Sequence, residues 1–391
     1  MEIFKNTEVA FKLRTNKELL KASLLFRLMS HASLVKIAGN LANLAISINI
    51  PVGWAVKPTI FNHFCGGETI EESTKAISNL AEHKVVSVLD YAAEDQKSTD
   101  QINAVISEII RTMDLAAENK NVPFTVFKPT ALVPVSVLNS ANSQSYPESE
   151  APPEIELFRN NIRTLCKAAW ERGVPVMVDA EESHYQNIVD KVVTEMMELY
   201  NTDKAIVYNT IQMYRHDRLD FLKKSIEAAR KKKYHFGVKL VRGAYMEQER
   251  DRAVKMGYPS PIFPDKESTD KAYNDALTIC LENIDMTSLF AGTHNEDSLM
   301  LLMELMKYHK LNKNDSRVYT SQLYGMSDHI SFNMAEQSFN VAKYLPYGPV
   351  KYLIPYLIRR AEENKSITGQ AGRELHYIKL EIRRRKNIKS L

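Results

Sequence analysis

The sequence of 391 residues has few cysteines, few glycines and no marked excess of charge of either sign. Its three cysteines, Cys65, Cys166 and Cys280, show no CxxC spacing. This excludes a disulfide framework and a cysteine metal motif, and it indicates a reducing compartment. Lysine and arginine total 51 against 48 aspartates and glutamates, giving a net charge of +3. This nearly equal number of positive and negative side chains argues against a nucleic-acid partner, because nucleic-acid binding needs a positively charged surface.

The sequence also lacks a long uninterrupted hydrophobic run. Its most apolar stretch, 34–56, contains Lys36, three asparagines and Pro51, whereas a membrane-spanning helix needs about 20 predominantly apolar residues. We therefore expect a buried or interfacial helix there. The first twenty residues include acidic side chains and no apolar core, so they match neither a secretory signal nor a typical transit peptide.

The sequence predicts helices in its first 80 residues and alternating strands and helices after them. Apolar residues recur at helical spacing from Leu19 to Leu28 and again over 34–48. Eight later runs are apolar on both faces, as buried parallel strands are; they cover 85–90, 122–129, 174–180, 205–210, 236–243, 288–294, 317–323 and 341–346. The pattern predicts an α/β fold, a TIM-like (β/α)8 barrel at 81–391 preceded by an N-terminal helical segment at 1–80.

Polar and ionisable side chains concentrate where the predicted strands end. These positions include Asp90, Lys128, Asp179, Gln212, Arg242, His294, Gln322 and Tyr344. Because catalytic groups of (β/α)8 barrels come from that end of the strands, we predict an enzyme. The loop 139–153, rich in serine, asparagine and proline, follows the second strand, and a surface insertion is favoured there over a lid.

Two cationic features are candidates for binding an anion. Arg359 and Arg360 are adjacent in the last predicted helix, with Glu363 placed to hold one of them. Two guanidinium groups suit a carboxylate, although an ordinary charged surface helix is the alternative. Lys239 and Arg242 lie within and at the end of the fifth strand, where a cofactor phosphate, a reduced flavin or a substrate carboxylate would pair with them. The alternative is a pair of core cations neutralised by Asp179 and Glu181.

Other site classes find little support in the sequence. No second histidine or cysteine has ligand spacing relative to His294, so we expect no metal. Asp179 and Glu181 could form a glycosidase pair, but the nearby cations oppose a raised carboxyl pKa. Neither GxGxxG nor a P-loop occurs.

Six segments of the sequence closely resemble the motifs of one known enzyme family. In chain order they are VDAEES, VKLVRGAYMEQERDRA, THN, QLYGM, KYLPYGPV and YLIRRAEEN. The family is proline dehydrogenase, and KLVRGAYMEQER with YLPYGPV resembles its mitochondrial-type branch. The resemblance implies a distorted (β/α)8 barrel that binds FAD non-covalently at the carboxyl ends of its strands. It also implies oxidation of L-proline to Δ1-pyrroline-5-carboxylate, with electrons passed to a membrane quinone.

The resemblance also assigns roles to residues. Arg359 and Arg360 match the arginine pair that binds the proline carboxylate, with Lys128 assisting and Glu363 partnering the arginines. Tyr344, Leu323 and Tyr245 match the wall of the proline-ring site, and Asp179 the active-site aspartate. The positions that match flavin contacts are Ala180, Gln212, Lys239, Arg242, Gly243, Ala244, Thr293 and His294. Lys239 stands where many bacterial members have an arginine beside the flavin N5, so it is a catalytic candidate that keeps the charge but loses the planar fork.

Two alternative functions remain open at this point. Tyr344 favours proline over hydroxyproline, because hydroxyproline-specific members tend to have a smaller residue there. A catalytically silent proline-binding barrel is the alternative outside enzymes, and the presence of Lys128, Asp179 and the arginine pair argues against it. Since no transit-peptide pattern is seen, we expect a cytoplasmic bacterial enzyme. Peripheral contact with the inner face of the bacterial membrane stays open, as does the oligomeric state.

Overall fold

The computed structural model describes residues 2–31, 33, 35–39, 41, 53–142, 152–366 and 370–389. The chain divides into two compact units, Met1–Ser87 with Gln322–Leu391 and Val88–Ser321. Most of the predicted helix at 34–48 and of the predicted loop at 139–153 lies outside the described residues. Within the described part of the chain, no helix is both long and apolar enough to cross a bilayer.

Eight strands close into a barrel in chain order. They are β1 Val85–Tyr91, β2 Phe124–Phe127, β3 Val176–Val178, β4 Val207–Gln212, β5 Phe236–Val241, β6 Thr287–Gly292, β7 Val318–Leu323 and β8 Val341–Tyr347. The predicted fold class is therefore confirmed. β3 is shorter than the predicted run 174–180 because Pro175 has no N–H to donate to the strand ladder, so the strand begins at Val176.

Helices follow the strands and make up most of the chain before β1 and after β8. The longer ones are Asn16–Met29, Ile70–Ala81, Thr99–Glu118, Val135–Asn142, Pro153–Arg172, Ser183–Tyr200, Arg218–Lys232, Met246–Met256, Lys266–Glu282, Glu296–Tyr308, Asp328–Glu336, Val350–Ser366 and Gln370–Lys389. Shorter turns of helix are Glu2–Lys5, Thr7–Ala10, Gly53–Val56, Lys57–Phe61, Asn62–Phe64 and Pro129–Ala131.

Local sequence explains where several helices begin. Thr15 caps the helix Asn16–Met29 in a reciprocal capping box with Glu18, and Ser98 does the same for Thr99–Glu118 with Gln101. Each box satisfies two backbone N–H groups that a helix start leaves unpaired. The helix Pro153–Arg172 instead begins with a proline, whose missing N–H costs nothing in the first turn.

In the unit Val88–Ser321, the register of the strands determines which side chains lie next to each other on neighbouring strands. Phe127 pairs with Val178 in the parallel ladder, so Lys128 and Asp179 follow side by side as β2 and β3 end. At the opposite, amino-terminal end, the Phe124 ring packs edge-on against Tyr208, Phe290 and Tyr319 at centroid distances of 5.6, 5.1 and 4.9 Å. Packed rings therefore occupy one end, and ionisable groups collect at the other.

Candidate active site

Lys128 and Asp179 belong to a row of four side chains with alternating charge at the carboxyl ends of β1, β2, β3 and β5. The Lys128 ammonium donates hydrogen bonds of 2.9 and 2.8 Å to the two carboxylate oxygens of Asp90. Its Nζ also lies 3.6 Å from Asp179 Oδ2. Lys239 donates to the other oxygen of Asp179. The row Asp90–Lys128–Asp179–Lys239 is therefore joined by direct contacts.

The neighbouring carboxylates keep Lys128 protonated. Burial alone would lower the pKa of this lysine, but Asp90 and Asp179 outweigh burial and raise the pKa above its ordinary value. The lysine and Asp90 side chains are 7% and 2% exposed, so little water screens the pair. Lys128 is therefore an ammonium donor held in place at the strand ends, with its charge balanced by Asp90 and Asp179.

Glu181 connects the loop after β3 to the loop after β2. Its carboxylate accepts hydrogen bonds from the Thr130 backbone N–H at 3.0 Å and from the Thr130 hydroxyl at 2.8 Å. Burial raises the pKa of Glu181 to about 7, with nearby Glu94 adding to the rise. Glu181 therefore holds the segment after Lys128 and does not neutralise the β5 cations; Asp179 does so for Lys239.

Arg242, just beyond β5, is fixed by three partners. Its guanidinium donates to Asp270 at 2.7 Å, to the Thr293 hydroxyl at 2.6 Å and to the Ser298 hydroxyl at 2.9 Å. It also lies over the Tyr273 ring, 4.4 Å from the centroid. Thr293 is thus brought to Arg242, and the half-buried His294 follows it in the same loop.

The backbone after Arg242 is tightly constrained. Gly243 has φ +133°, a conformation that side-chain-bearing residues rarely adopt. A Cβ on this glycine would lie 2.5 Å from the Tyr214 ring, which follows β4. Ala244 and Tyr245 are half-buried, and Tyr245 precedes the helix Met246–Met256. Two further predicted residues sit at strand ends in this unit, with Gln212 buried and Ala180 half-buried.

The remaining predicted residues belong to the other unit. Leu323 ends β7, and Tyr344 lies within β8 with 8% of its surface exposed. The N–H of Tyr324 donates to the carbonyl of Tyr344 at 2.9 Å, which places Leu323 near that tyrosine. Arg359 and Arg360 lie in the helix Val350–Ser366.

The two arginines differ in their surroundings. Arg359 is half-buried, whereas Arg360 is buried with its guanidinium 5.2 Å from the Tyr356 ring centroid. The side chain of Glu363 lies outside the described part of the chain. The predicted residues thus form a group at the carboxyl ends of β2 to β6 in one unit and a group on β7, β8 and the following helix in the other.

The sequence assigns no role to two carboxylates that this geometry makes important. Asp90 is the partner of Lys128, and Asp270 is the partner of Arg242. For Asp90 a signal existed, because a carboxylate inside an otherwise apolar strand needs a cation or hydrogen-bond donors. Asp270 lies in the helix Lys266–Glu282, and its sequence gives no comparable signal.

The residues at the ends of β4, β5 and β6 fit a flavin nucleotide. An amide, an ammonium, a guanidinium, a hydroxyl and an imidazole stand there as hydrogen-bonding groups that suit flavin carbonyls, ring nitrogens and phosphates; they belong to Gln212, Lys239, Arg242, Thr293 and His294. The backbone at Gly243 lacks a Cβ, so it stays open to close approach. Among the residues that the structure describes, no group of histidines, cysteines and carboxylates is arranged to hold a metal ion.

Comparison with known proteins identifies the family. A model of the family described as proline dehydrogenase matches residues 73–373. The chain belongs to the proline dehydrogenase family. It is 33% identical over 384 residues to proline dehydrogenase 1, mitochondrial, of Dictyostelium discoideum, an alignment covering 87% of this chain and 67% of that protein. To the human protein of the same name it is 41% identical over 237 residues, covering 59% of this chain and 40% of that protein.

A solved structure shows the same fold. The proline utilization A protein (PutA) of Bdellovibrio bacteriovorus superposes with a TM-score of 0.71 at 21% identity, covering 92% of this chain and 38% of that one. The family match confirms the predicted class, an oxidoreductase acting on the CH–NH group of proline. The family consists of flavoenzymes in general, so the prediction of a flavin is confirmed at that level.

The expected location was wrong. The relatives from Dictyostelium and from human are mitochondrial proline dehydrogenases, which points to mitochondria and not to a bacterial cytoplasm. The lack of a targeting pattern in the first residues does not decide the compartment. Targeting segments are recognised by loose composition, and their absence from a stretch of sequence decides nothing.

Proposed function

We propose that this chain binds FAD, oxidises L-proline to Δ1-pyrroline-5-carboxylate and passes the electrons to a membrane quinone. The observation that carries the proposal is the row Asp90–Lys128–Asp179–Lys239, which holds two ammonium groups at the carboxyl ends of the strands. That end is where (β/α)8 enzymes bind substrates. One ammonium suits the substrate carboxylate and the other suits the electron-rich edge of a flavin.

In this proposal the substrate is bound by its carboxylate and by its ring. Arg359 and Arg360 donate to the carboxylate, and Lys128 adds a third positive charge. Guanidinium groups match a carboxylate with two parallel hydrogen bonds, which fixes orientation as well as position. The family resemblance assigns Tyr344, Leu323 and Tyr245 to the walls around the ring. Holding the substrate in one orientation accounts for much of the rate enhancement in such a reaction.

In this proposal the residues at the carboxyl ends of β3 to β6 hold the flavin. When bound, FAD supplies the hydride-accepting chemistry that side chains lack. Gln212, Arg242, Thr293 and His294 hold it by hydrogen bonds, and Ala180, Gly243 and Ala244 let it approach the backbone. Lys239 provides a positive charge beside the isoalloxazine, with Asp179 fixing the position of its ammonium. Lysine offers no planar fork, so its contact with the ring is through one donor at a time.

The test is the purified chain with and without added FAD. We expect flavin absorbance bands that remain with the protein on gel filtration, and reduction of a soluble quinone analogue that depends on L-proline. The value of kcat/KM should be higher for L-proline than for trans-4-hydroxy-L-proline. Bound flavin with a preference for the hydroxylated substrate would identify a hydroxyproline dehydrogenase, and no bound flavin would favour a silent proline-binding barrel.

The surface of the helix Asn16–Met29 supports contact with a membrane. Its leucines Leu20, Leu24 and Leu28 lie four residues apart on one face and are 58%, 56% and 48% exposed. Lys17, Lys21 and Arg27 on the same helix are also exposed. A row of exposed leucines beside cations is typical of helices that lie at a lipid interface, and a quinone is dissolved in the lipid.

A liposome co-sedimentation experiment tests this contact. We expect the protein to sediment with vesicles containing anionic lipid. Leu24→Ser should reduce that binding, whereas Leu199→Ser, at an exposed leucine of the other unit, should not. Equal sedimentation of wild type and both variants would mean that this face does not carry the contact.

A further inference from the structure

The loop after β7, residues 324–327, is held from three other segments of its own unit. It connects Leu323 to the helix Asp328–Glu336. Gly325 has φ +79° and Ser327 has φ +52°. Both values lie in the left-handed region, which a glycine adopts readily but which costs energy for a serine. A strained loop of this kind keeps its shape only when its surroundings fix it.

The first support is Lys343 in β8, the residue before Tyr344. Its side chain is fully buried and pairs with Asp328 Oδ1 at 2.9 Å. The same ammonium donates to the carbonyl oxygen of Met326 and, at 3.5 Å, to that of Leu323. Lys343 therefore ties the end of β7 and its loop directly to the strand that carries Tyr344.

The second support comes from the segment before β1. Arg14 donates to the Asp328 carboxylate at 3.3 Å. His63 donates through Nε2 to the carbonyl of Gly325 at 2.9 Å, since a carbonyl oxygen can only accept. A Cβ on Gly325 would lie 2.2 Å from the His63 carbonyl oxygen, so the two backbones are in close contact.

The third support comes from the helix Gln370–Lys389. The backbone N–H and the hydroxyl of Ser327 both donate to Glu374 Oε1, at 2.5 and 3.1 Å. Glu374 is 3% exposed. This carboxylate holds the left-handed serine, since it satisfies an N–H that would otherwise be buried without a partner.

We propose that Lys343 and Glu374 are positioning residues that set the distance between Leu323 and Tyr344, and so set how strictly the site selects an unsubstituted pyrrolidine ring. The inference rests on the proposed function, in which those two side chains are walls of the ring site. Lys343 joins the loop to the strand of one wall, and Glu374 fixes the far end of the loop that starts at the other. Neither residue touches the substrate.

Ring selectivity is the property most sensitive to this distance. A pocket of packed side chains rejects an added hydroxyl by roughly 10- to 100-fold, because there is no room or partner for it. If the walls separate, the pocket gains space for that hydroxyl and loses contact with the unsubstituted ring. A purely structural role would instead lower the rates with both substrates equally.

The experiment compares kcat/KM for L-proline with kcat/KM for trans-4-hydroxy-L-proline in the flavin-loaded full chain. Lys343→Met keeps the length of the side chain and removes its charge, and Glu374→Gln is a milder change that weakens the support of Ser327. We expect the proline-to-hydroxyproline ratio to fall about tenfold in Lys343→Met and severalfold in Glu374→Gln. The KM for proline should rise more than kcat falls.

The control is Asp315→Asn, which removes an aspartate paired with Arg317 at 2.7 Å in the other unit and should keep the wild-type ratio. If Lys343→Met does not fold, Glu374→Gln decides. Folded variants whose ratio equals that of the wild type overturn this inference and leave the proposed function standing. A wild-type chain that binds flavin but does not oxidise L-proline overturns the proposed function, and this inference with it.

Discussion

Lys128 and Asp90 depend on each other, because each is a buried charge whose nearest opposite charge is the other. Removing one member of such a pair costs about 3–5 kcal/mol in other proteins, since the remaining charge stays buried. We expect Asp90→Asn to lower the free energy of unfolding by about 3 kcal/mol, the lower end of that range, because Asp179 still lies 3.6 Å from the lysine.

Urea unfolding of the two proteins measures this difference. The matched control is Asp285→Asn, which breaks the ion pair with Arg230, whose two side chains are 58% and 51% exposed. An ion pair exposed to water contributes little to stability, so that variant should unfold almost as the wild type does. Equal losses in the two variants would contradict a special role for the buried pair.

The adjacent arginines Arg359 and Arg360 give a second prediction for single residues. If each donates to the substrate carboxylate, replacement by methionine removes a charge-assisted contact worth about 1.5–3 kcal/mol. The KM for L-proline should then rise at least about tenfold while flavin content is retained. A double variant that loses more than the sum of the single losses would indicate that both arginines act on one carboxylate.

Steady-state kinetics and the flavin absorbance of each purified variant provide the measurement. Arg230→Met, at an exposed arginine of the other unit, should change neither quantity. Loss of flavin with an unchanged KM for proline would assign the arginines to the cofactor or to the structure, and the substrate site proposed here would be incorrect.

At the scale of elements, the connection between β5 and the helix Met246–Met256 depends on one glycine. Gly243→Ala would place a Cβ 2.5 Å from the Tyr214 ring in a backbone conformation of φ +133°. Either the tyrosine or the backbone must move, and both Arg242 and Ala244 are proposed to contact the flavin. We expect the purified Gly243→Ala protein to contain less than half of the wild-type flavin.

Gly257→Ala is the matched control for this prediction. Gly257 ends the helix Met246–Met256 at φ +71°, and no atom lies within 4 Å of the position that its Cβ would occupy. The substitution costs only the strain of a left-handed alanine, about 1 kcal/mol, and should leave the flavin content unchanged. If both variants retain the flavin, then this connection does not shape the cofactor site.

At the scale of the molecule, one buried carboxylate links three parts of the chain and makes stability depend on pH. Burial alone would raise the pKa of Asp328, but Lys343 and Arg14 outweigh burial and hold it at about 2. The ordinary value for an exposed aspartate carboxyl, as expected in the unfolded chain, is 3.8. Because the folded value is the lower one, the stabilisation is complete above the unfolded pKa and is lost as pH falls toward 2.

This gap corresponds to about 2 kcal/mol of stability. Denaturant unfolding at a series of pH values between about 5 and 2 should therefore show a steeper loss in the wild type than in Asp328→Asn, whose amide does not titrate. The difference in unfolding free energy between the wild type and Asp328→Asn should be about 2 kcal/mol larger at neutral pH than at pH 2. Parallel curves would mean that this aspartate has an ordinary pKa.

Periodicity and local chemistry in the sequence determined the elements. The alternation of buried apolar runs with helical stretches predicts eight parallel strands, and all eight occur. The fold is accessible from sequence because strand burial and helix capping depend on residues close together in the chain, as Thr15 with Glu18 illustrates. The polar strand ends also predict where the site lies, since the fold brings all carboxyl ends of the strands to one face.

Which charges pair with one another became clear from the folded structure alone. From the sequence, Asp179 and Glu181 were both candidates to neutralise Lys239 and Arg242. In the structure Asp179 pairs with Lys239, whereas Glu181 accepts a hydrogen bond from Thr130. Arg242 donates to Asp270, which lies 28 residues further along the chain. Partners of this kind are set by strand register and by how helices pack on the barrel. A short contact between residues far apart in the chain leaves no periodic pattern in the sequence, so the pairing appears only once the chain is folded.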